Sequence, residues 1–424
     1  MTTAVVRPGP VSGTIRAPPS KSYTHRALVI GYLSGRKFRV QRPLDSDDTR
    51  ATASALSALG ARVVRGPRSW RVLPRRRRRA HGSVDVQCGE SGTTLRFVCA
   101  LAALREGAVR IDGRGRLPAR PIDELLDALR DLGADCRRLG RSGLPVEVRG
   151  PIHGGHVTLD ASQTSQFASA LLLALPTLEE DSRLELTGQV VSGPYLEATL
   201  AVLKQHKLRI ARRGRVFSIP GGQSPTGSGF IVPGDASSAA YFWVAAAVSG
   251  GKVRVDGVGA KWPQADLAVL DLLKQSGANV ARHTDGATVS AGTPTPFRVD
   301  LTDSPDLYPL AGVLAATTPG TSRLDGAQHV VLKESDRRAS TARLVRLLGA
   351  TAVNTPAGLR IRGNSRPRTL HVDRLSDHRL VMSAAVGATA GQGVSTVGDR
   401  DAVRKSFPEF WNVLAELSGG GSVE

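Results

Sequence analysis

The stretch PIDELLDALRDLGADCRRLGRSGLPVEVRG, residues 121–150, carries a helix, a stop and a hairpin in thirty positions. Ile122, Leu125, Leu126, Leu129 and Leu132 fall on one helical face, so the segment packs its apolar stripe against a sheet. Pro121 at its start and acids in its first turn agree with the helix direction, and Gly133 suits the left-handed position that ends a helix. After the glycine, ADCRR and LPVEVRG read as two strands joined by a polar turn. The same closing tag, LGA or SGA, recurs at Gly60, Gly277 and Gly349 with a period of about 72 residues. A degenerate copy without the glycine falls at LAVLKQHKLRI, 200–210, and a sixth copy, FWNVLAELSGG, at 410–420. Each of the first five tags leads into a predicted hairpin.

A second frame of the same period reads strand, polar corner, apolar helix. Its six copies are TIRAPPSKSYTHRALVIGYL, VDVQCGESGTTLRFVCALAAL, HVTLDASQTSQFASALLLAL, FIVPGDASSAAYFWVAAAV, FRVDLTDSPDLYPLAGVLAA and TLHVDRLSDHRLVMSAAVGA. Units of this length exceed the 20–50 residues typical of solenoids, so six α/β units in two groups of three is the simpler architecture. A chain of 424 residues also exceeds one ordinary core.

Corners of this kind expose backbone N–H groups at the positive end of a helix dipole and bind anions. The first three copies add Lys21, Ser22 and Arg26, then Gly92, Thr93 and Arg96, then Thr164, Ser165 and Gln166. The later three present Asp235, Asp306, and the triplet Asp377, His378 and Arg379. Ser, Thr and Asp are ordinary helix caps. Lys21 and Arg26 in a first turn oppose the dipole, which suits a bound anion better than a cap.

The formal charge is +20. Such a field concentrates anions, from small phosphates to nucleic acid, without choosing between them. Part of it is the run Arg75–Arg79, read as a solvated loop between repeats. Aromatic residues make up 4% of the chain and none interrupts the run, so no stacking platform for single strands is indicated and no nucleic acid is expected. Cys88, Cys99 and Cys136 show neither CxxC spacing nor even pairing, which argues against a disulfide framework or thiolate metal site and for a reducing compartment. No targeting segment is read before VSGTIRAP, 11–18, and runs such as 239–248 are too short to span a bilayer. The expectation is a cytoplasmic, monomeric protein without a membrane partner.

Nine motifs in order, PSKSYTHRAL, GESGTTLR, the Arg-Pro of LPARPIDELLDAL, TSQF, VSGPYLEATL, GDASSAAYF, VLKESDR, SDHRLVMS and RKSFPEFW, resemble the 5-enolpyruvylshikimate-3-phosphate synthase family from about residue 11 to 414. The resemblance implies a two-domain, inside-out α/β (α+β) barrel of six βαβαββ repeats, three per domain, with substrates closed between the domains. One domain would comprise 1–20 and 230–424, carrying Asp306, Glu334, Arg379 and Lys405. The other would comprise 21–229, carrying Arg96, Arg120 and Gln166, with the hinge near 18–21 and 222–232. The GQSPTGSG stretch would be the second crossing.

Carried over residue by residue, the resemblance gives shikimate-3-phosphate to Lys21, Ser22, Arg26, Thr164, Ser165, Gln166, Ser192, Asp306, His329 and Lys333, with Tyr195 walling the ring. It gives phosphoenolpyruvate to Lys21, Gly92, Arg96, Arg120, Gln166, Arg337, Arg379 and Lys405, where guanidinium forks suit phosphate and carboxylate. The implied reaction is addition followed by elimination, needing neither metal nor organic cofactor. Asp306 would accept the hydroxyl proton, Glu334 would protonate C3, and Lys21 and Lys405 would offset developing charge. This chain departs from the family pattern at Glu90, where many relatives carry Asn, at Phe97, where many bacterial relatives carry Pro, and at Arg75–Arg79. A related UDP-N-acetylglucosamine enolpyruvyl transferase would place a cysteine in the stretch GRGRLPARP, which has none. A nucleic-acid-binding protein, prompted by the charge, is the alternative of another class.

Overall fold

The computed structural model describes residues 2–74, 83–141, 143–420 and 423. Arg75–Arg79 therefore lies outside the described residues. Among them are twelve α-helices and six small sheets. The chain divides into one compact unit of 1–18 and 234–424 and a second of 19–233. Three sheets fall in each.

The repeat is realised six times, each built from a corner helix and a tag helix. The corner helices are Lys21–Leu33, Gly92–Ala103, Gln166–Ala174, Ala236–Ser249, Tyr308–Ala316 and His378–Thr389. The tag helices are Asp47–Ala58, Asp123–Asp131, Gly193–Gln205, Val269–Gln275, Arg337–Leu347 and Phe410–Leu417. Every tag ends in the same 6→1 bond, for example from Ala61 N–H to Leu56 O and from Ala134 N–H to Leu129 O, both satisfying carbonyls the helix leaves open. Gly133 adopts φ 105° at this stop, a conformation that a side chain disfavours. In the degenerate tag Lys207 takes the same place at φ 63°, and the bond from Leu208 N–H to Leu203 O survives without glycine.

Each hairpin read from the sequence is an antiparallel pair. In five sheets the hairpin pairs with a two-stranded parallel core, as where His156–Asp160 runs beside Ser182–Thr187. The remaining sheet joins Thr3–Val6, Ser395–Gly398 and His371–Val372. Among the described residues the strands of one sheet are not hydrogen-bonded to those of another, so the six small sheets do not close into one ladder.

Helices occupy the interior. Within each unit the three corner helices touch one another, which explains why two of them are buried on all faces: every residue of Tyr308–Ala316 and of His378–Thr389 is buried. Tag helices, lying farther out, keep a polar side, as Asp123–Asp131 does.

The unit boundaries, 18/19 and 233/234, follow from two strand pairings. Gly13–Arg16 leads into the corner helix at Lys21 yet pairs in parallel with Lys252–Asp256 of the first unit. Gly229–Ile231 leads into Ala236–Ser249 yet pairs with Phe38–Gln41 of the second. No helix among the described residues is long and apolar enough to cross a membrane.

Candidate functional site

In the second unit the N-cap residues of the first and third corners make no side-chain cap bond, whereas Ser91 at the second accepts from Thr94 N–H at 3.2 Å. Lys21 instead points its ammonium at Asp48 Oδ2, 3.1 Å away, on the first turn of Asp47–Ala58. Arg26, one turn further in, is buried without a carboxylate partner among its described bonds. Its guanidinium donates to Thr199 Oγ1 at 2.8 Å, to Ser22 O at 2.9 Å and to Tyr195 O at 2.9 Å. Burial lowers its pKa to about 10, opposed by Tyr23 and Tyr195. These bonds gather Ser22, Arg26 and Tyr195 around one buried cation. Ser192, at φ 57°, starts the helix carrying Tyr195 and Thr199.

Thr164, Ser165 and Gln166 open the third corner helix. Gln166 N–H bonds Thr164 Oγ1, while its side-chain Oε1 is buried and has no hydrogen-bond partner among the described residues. A polar atom left so is costly unless a ligand meets it.

Around Gly92 the packing is close. A Cβ there would lie 2.2 Å from Arg96 Nη1 and 2.7 Å from Arg120 Nη1, so two guanidiniums rest on the space a side chain would fill. Arg96 is fixed by a 2.6 Å bond to Pro121 O and by the Phe167 ring, whose centroid lies 5.7 Å away. Phe97, the departure from Pro, places its ring 5.7 Å from the Arg26 guanidinium, an aromatic face for a buried cation. Glu90 turns its carboxyl toward Gly115, where a Cβ would come within 2.8 Å of Cδ.

A buried polar chain connects these corners. His25 Nδ1 meets Thr52 Oγ1 at 2.7 Å, Thr52 meets Thr94 Oγ1 at 2.7 Å, and Thr94 donates to Ser91 Oγ at 2.7 Å. Burial, aided by Lys21 and Arg26 and opposed by Asp48, pushes the His25 pKa down to about 3, so the imidazole is neutral.

The first unit gathers charge of both signs. Arg337, 1% exposed, donates through Nε to Asp377 Oδ2 at 3.0 Å, through Nη1 to Asp306 Oδ1 at 2.6 Å and through Nη2 to Glu334 Oε2 at 2.9 Å. Burial opposes its charge, but the carboxylates of Asp377, Glu334 and Asp306 outweigh that and raise its pKa. Arg379 donates to the other oxygen of Asp306, which is thus held between two guanidiniums. Lys405 lies 3.9 Å from Glu334 Oε1. His329 is buried in the turn Gln328–Leu332; burial, with the Lys333 and Arg337 cations, lowers its pKa to about 3 against Asp306, which favours the charged form.

Asp377 is the anchor that sequence reasoning named only as a corner residue. It caps the helix through Arg379 N–H at 2.9 Å, accepts from Ser335 Oγ at 3.0 Å and pairs with Arg337. Burial disfavours its charge, yet Arg337 and His378 hold its pKa below the usual carboxylate value. Asp235 proves a cap, accepting from Ser238 N–H at 2.8 Å. Asp48, the partner of Lys21, was also missed; its only signal was an acid in a first helical turn.

The predicted residues thus form cation-rich groups in the second unit and a carboxylate-guanidinium group in the first. The cation-rich groups suit anion binding, and the carboxylate-guanidinium group suits proton transfer. Residues 5–414 match the family model of EPSP synthase (3-phosphoshikimate 1-carboxyvinyltransferase). The chain is 40% identical over 424 residues to a 3-phosphoshikimate 1-carboxyvinyltransferase of Halobacterium salinarum, with 98% of each chain covered. It is 38% identical to that of Methanoculleus marisnigri, over 98% of this chain and 99% of the relative. Its fold matches the structure of EPSP synthase from Acinetobacter baumannii with a TM-score of 0.81 at 24% identity, covering 100% of this chain and 99% of the other.

Proposed function

The chain belongs to the EPSP synthase family, and on that premise we propose how its own residues carry the enolpyruvyl transfer from phosphoenolpyruvate to shikimate-3-phosphate. The family reaction yields 5-enolpyruvylshikimate-3-phosphate and phosphate by addition and elimination, within the shikimate pathway toward aromatic amino acids. What remains to be assigned is which side chain does what.

The observation that carries the assignment is Asp306 held by Arg337 and Arg379 while Glu334 shares Arg337 and faces Lys405. Two carboxylates on one guanidinium have fixed positions but differing neighbours, which suits them to separate proton roles. In the proposed mechanism Asp306 takes the proton of the attacking 5-hydroxyl as the C–O bond to C2 of phosphoenolpyruvate forms. Glu334 delivers a proton to C3, and in the elimination the C3 methyl of the tetrahedral adduct returns a proton to the Glu334 carboxylate as the C2–O bond to phosphate breaks, which restores the double bond and releases phosphate. Arg337 and Arg379 bind phosphoenolpyruvate with Arg120, Arg96, Gly92, Gln166 and Lys405, their forks matching its phosphate and carboxylate. Lys21 and Lys405 offset the charge that builds in the addition step.

For the acceptor, Lys21, Ser22, Arg26, Thr164, Ser165, Gln166, Ser192, His329, Lys333 and Asp306 are assigned to the phosphate, carboxylate and hydroxyls of shikimate-3-phosphate, with Tyr195 against its ring. The buried Gln166 Oε1 and the neutral His329 support this, since each offers an oriented polar group rather than a second charge. We assign the crossings at 18–21 and 222–232 as the hinge between domains, and a cytoplasmic monomer as the working form.

The deciding experiment measures phosphate release from phosphoenolpyruvate with shikimate-3-phosphate as acceptor and UDP-N-acetylglucosamine as control. Release with the first acceptor alone is expected. Folded protein that releases none with shikimate-3-phosphate would sink the reading.

A further inference from the structure

One carboxyl beside the Asp306 group has no part in the mechanism above. Asp266 lies in the turn Ala265–Ala268, 2% exposed. Ser237 Oγ donates to its Oδ2, and among the described residues its Oδ1 has no hydrogen-bond partner. The turn is tied in on both sides. Gln264, just before it, accepts from Ala236 N–H at 2.9 Å and donates to Gly234 O at 2.8 Å. Ser304 Oγ, two residues before Asp306, donates to Ala265 O at 2.9 Å. Asp266 is thereby fixed between the Asp235 corner and the Asp306 corner. The charged groups acting on it are Asp306, Asp235 and Arg379.

A carboxylate this deep with one hydroxyl donor is poorly solvated, and the acid form is favoured. Burial first, then the Asp306 charge and more weakly Asp235, raise its pKa to about 7; Arg379 and the Ser237 bond pull the other way. Asp306, by contrast, has two guanidiniums to hold its charge. The pair therefore divides its protons unequally: Asp266 carries the proton below neutral pH, while the two guanidiniums favour the charged form of Asp306.

We propose that Asp266 is a positioning residue that sets the charge of the phosphoenolpyruvate site: as an acid it adds no charge near Arg379, and as a carboxylate it adds a further negative charge that weakens the hold of Arg379 on an anion. This rests on the assignment of Arg379 to phosphoenolpyruvate. Asp266 itself touches no substrate in this scheme; it acts through Arg379 and Asp306. One unit charge at close range inside a protein changes affinity on the order of ten-fold.

The test compares KM for phosphoenolpyruvate in wild type and Asp266→Asn, at saturating shikimate-3-phosphate, from about pH 6 to about pH 9, a range that brackets the Asp266 transition. Asn keeps the shape and cannot ionise, and the titration of phosphoenolpyruvate is common to both proteins. The ratio of wild-type to variant KM is expected near one at the acid end, rising on the order of ten-fold at the alkaline end. Ser237→Ala removes the bond that favours the carboxylate, so its rise should move to higher pH. A ratio that stays flat with pH, including a uniform loss of turnover in Asp266→Asn, overturns the proposal, as does an unmoved profile in Ser237→Ala. If Asp266→Asn does not fold, the Ser237→Ala profile decides alone. Arg379→Met separates the premise: if it leaves KM unchanged, the Arg379 assignment is wrong, whereas a raised KM with a flat Asp266→Asn ratio refutes only the role of Asp266.

Discussion

Replacing Gly92 by Ala adds one methyl group where two guanidiniums already lie. The new Cβ would sit 2.2 Å from Arg96 Nη1 and 2.7 Å from Arg120 Nη1, below any ordinary contact. Arg96 cannot easily yield, because it is buried, bonded to Pro121 O and stacked near Phe167. Arg120 is less enclosed, so it moves. Restoring ordinary contact at about 3.4 Å shifts its Nη1 by about 0.7 Å, and the strain left at Arg96 pushes the displacement further. A misplacement of this size at a binding fork costs on the order of ten- to a hundred-fold. Gly92 has no positive φ and stands at the start of a helix, where Ala is well accommodated, so the fold should survive, with the crowding at Arg96 costing about 1–3 kcal/mol. The expected result is a KM for phosphoenolpyruvate raised at least ~10-fold, with the KM for shikimate-3-phosphate nearly unchanged and the melting temperature modestly lowered. The assay is phosphate release with each substrate varied in turn, beside a thermal melt. Wild-type KM for phosphoenolpyruvate in the folded variant would refute the reasoning about Arg120.

Other outcomes follow from the two groups. Lys21→Met and Asp306→Ala should each abolish turnover while leaving the circular-dichroism spectrum intact; a wild-type rate in either removes that residue from the mechanism. Asp377→Ala leaves Arg337 without its most buried partner and should cost about 3–5 kcal/mol in urea unfolding, a loss below 1 kcal/mol showing that Glu334 and Asp306 suffice. Because the folded Asp377 pKa lies below its unfolded value, its contribution is full above the unfolded carboxylate range and is lost as pH falls through the folded pKa. Asp377→Asn should accordingly flatten the acid limb of stability against pH, and an unchanged limb would show that other carboxylates govern it. Thr52→Val breaks the link from His25 to Thr94 and should lower stability by about 1–3 kcal/mol; an unchanged melt would mean that the chain is redundant.

The repeat was legible because its signals are local. A leucine stripe ending at Gly133 requires nothing beyond its own turn, and even the glycine-free tag at Lys207 was found by spacing alone. Of the proposed binding residues, Lys21 and Arg26 stood out because a cation in a first helical turn conflicts with the dipole, although the structure puts Arg26 in the second turn. Asp48, Asp266 and Asp377 were harder, since an acid near a helix start is satisfied by capping whatever else it does. Asp235 is buried too, and what distinguishes Asp377 from it is the bonds that Ser335 and Arg337 add to the cap. Phe97 was read as a departure; its ring beside Arg26 depends on packing between helices that spacing does not encode.

The pairing of Gly13–Arg16 with Lys252–Asp256, and of Thr3–Val6 with Ser395–Gly398, sets an order for events on the ribosome. Residues 19–233 emerge with every strand partner they need, so that unit can complete itself while synthesis continues. The first two strands to leave the exit tunnel must wait, one for more than half the polypeptide and the other for nearly all of it. Translation arrested once residue 233 has cleared the tunnel, but before Lys252–Asp256 has, would therefore yield one finished body preceded by a segment without its sheet partners, and that segment is where a protease or chaperone would find the nascent chain.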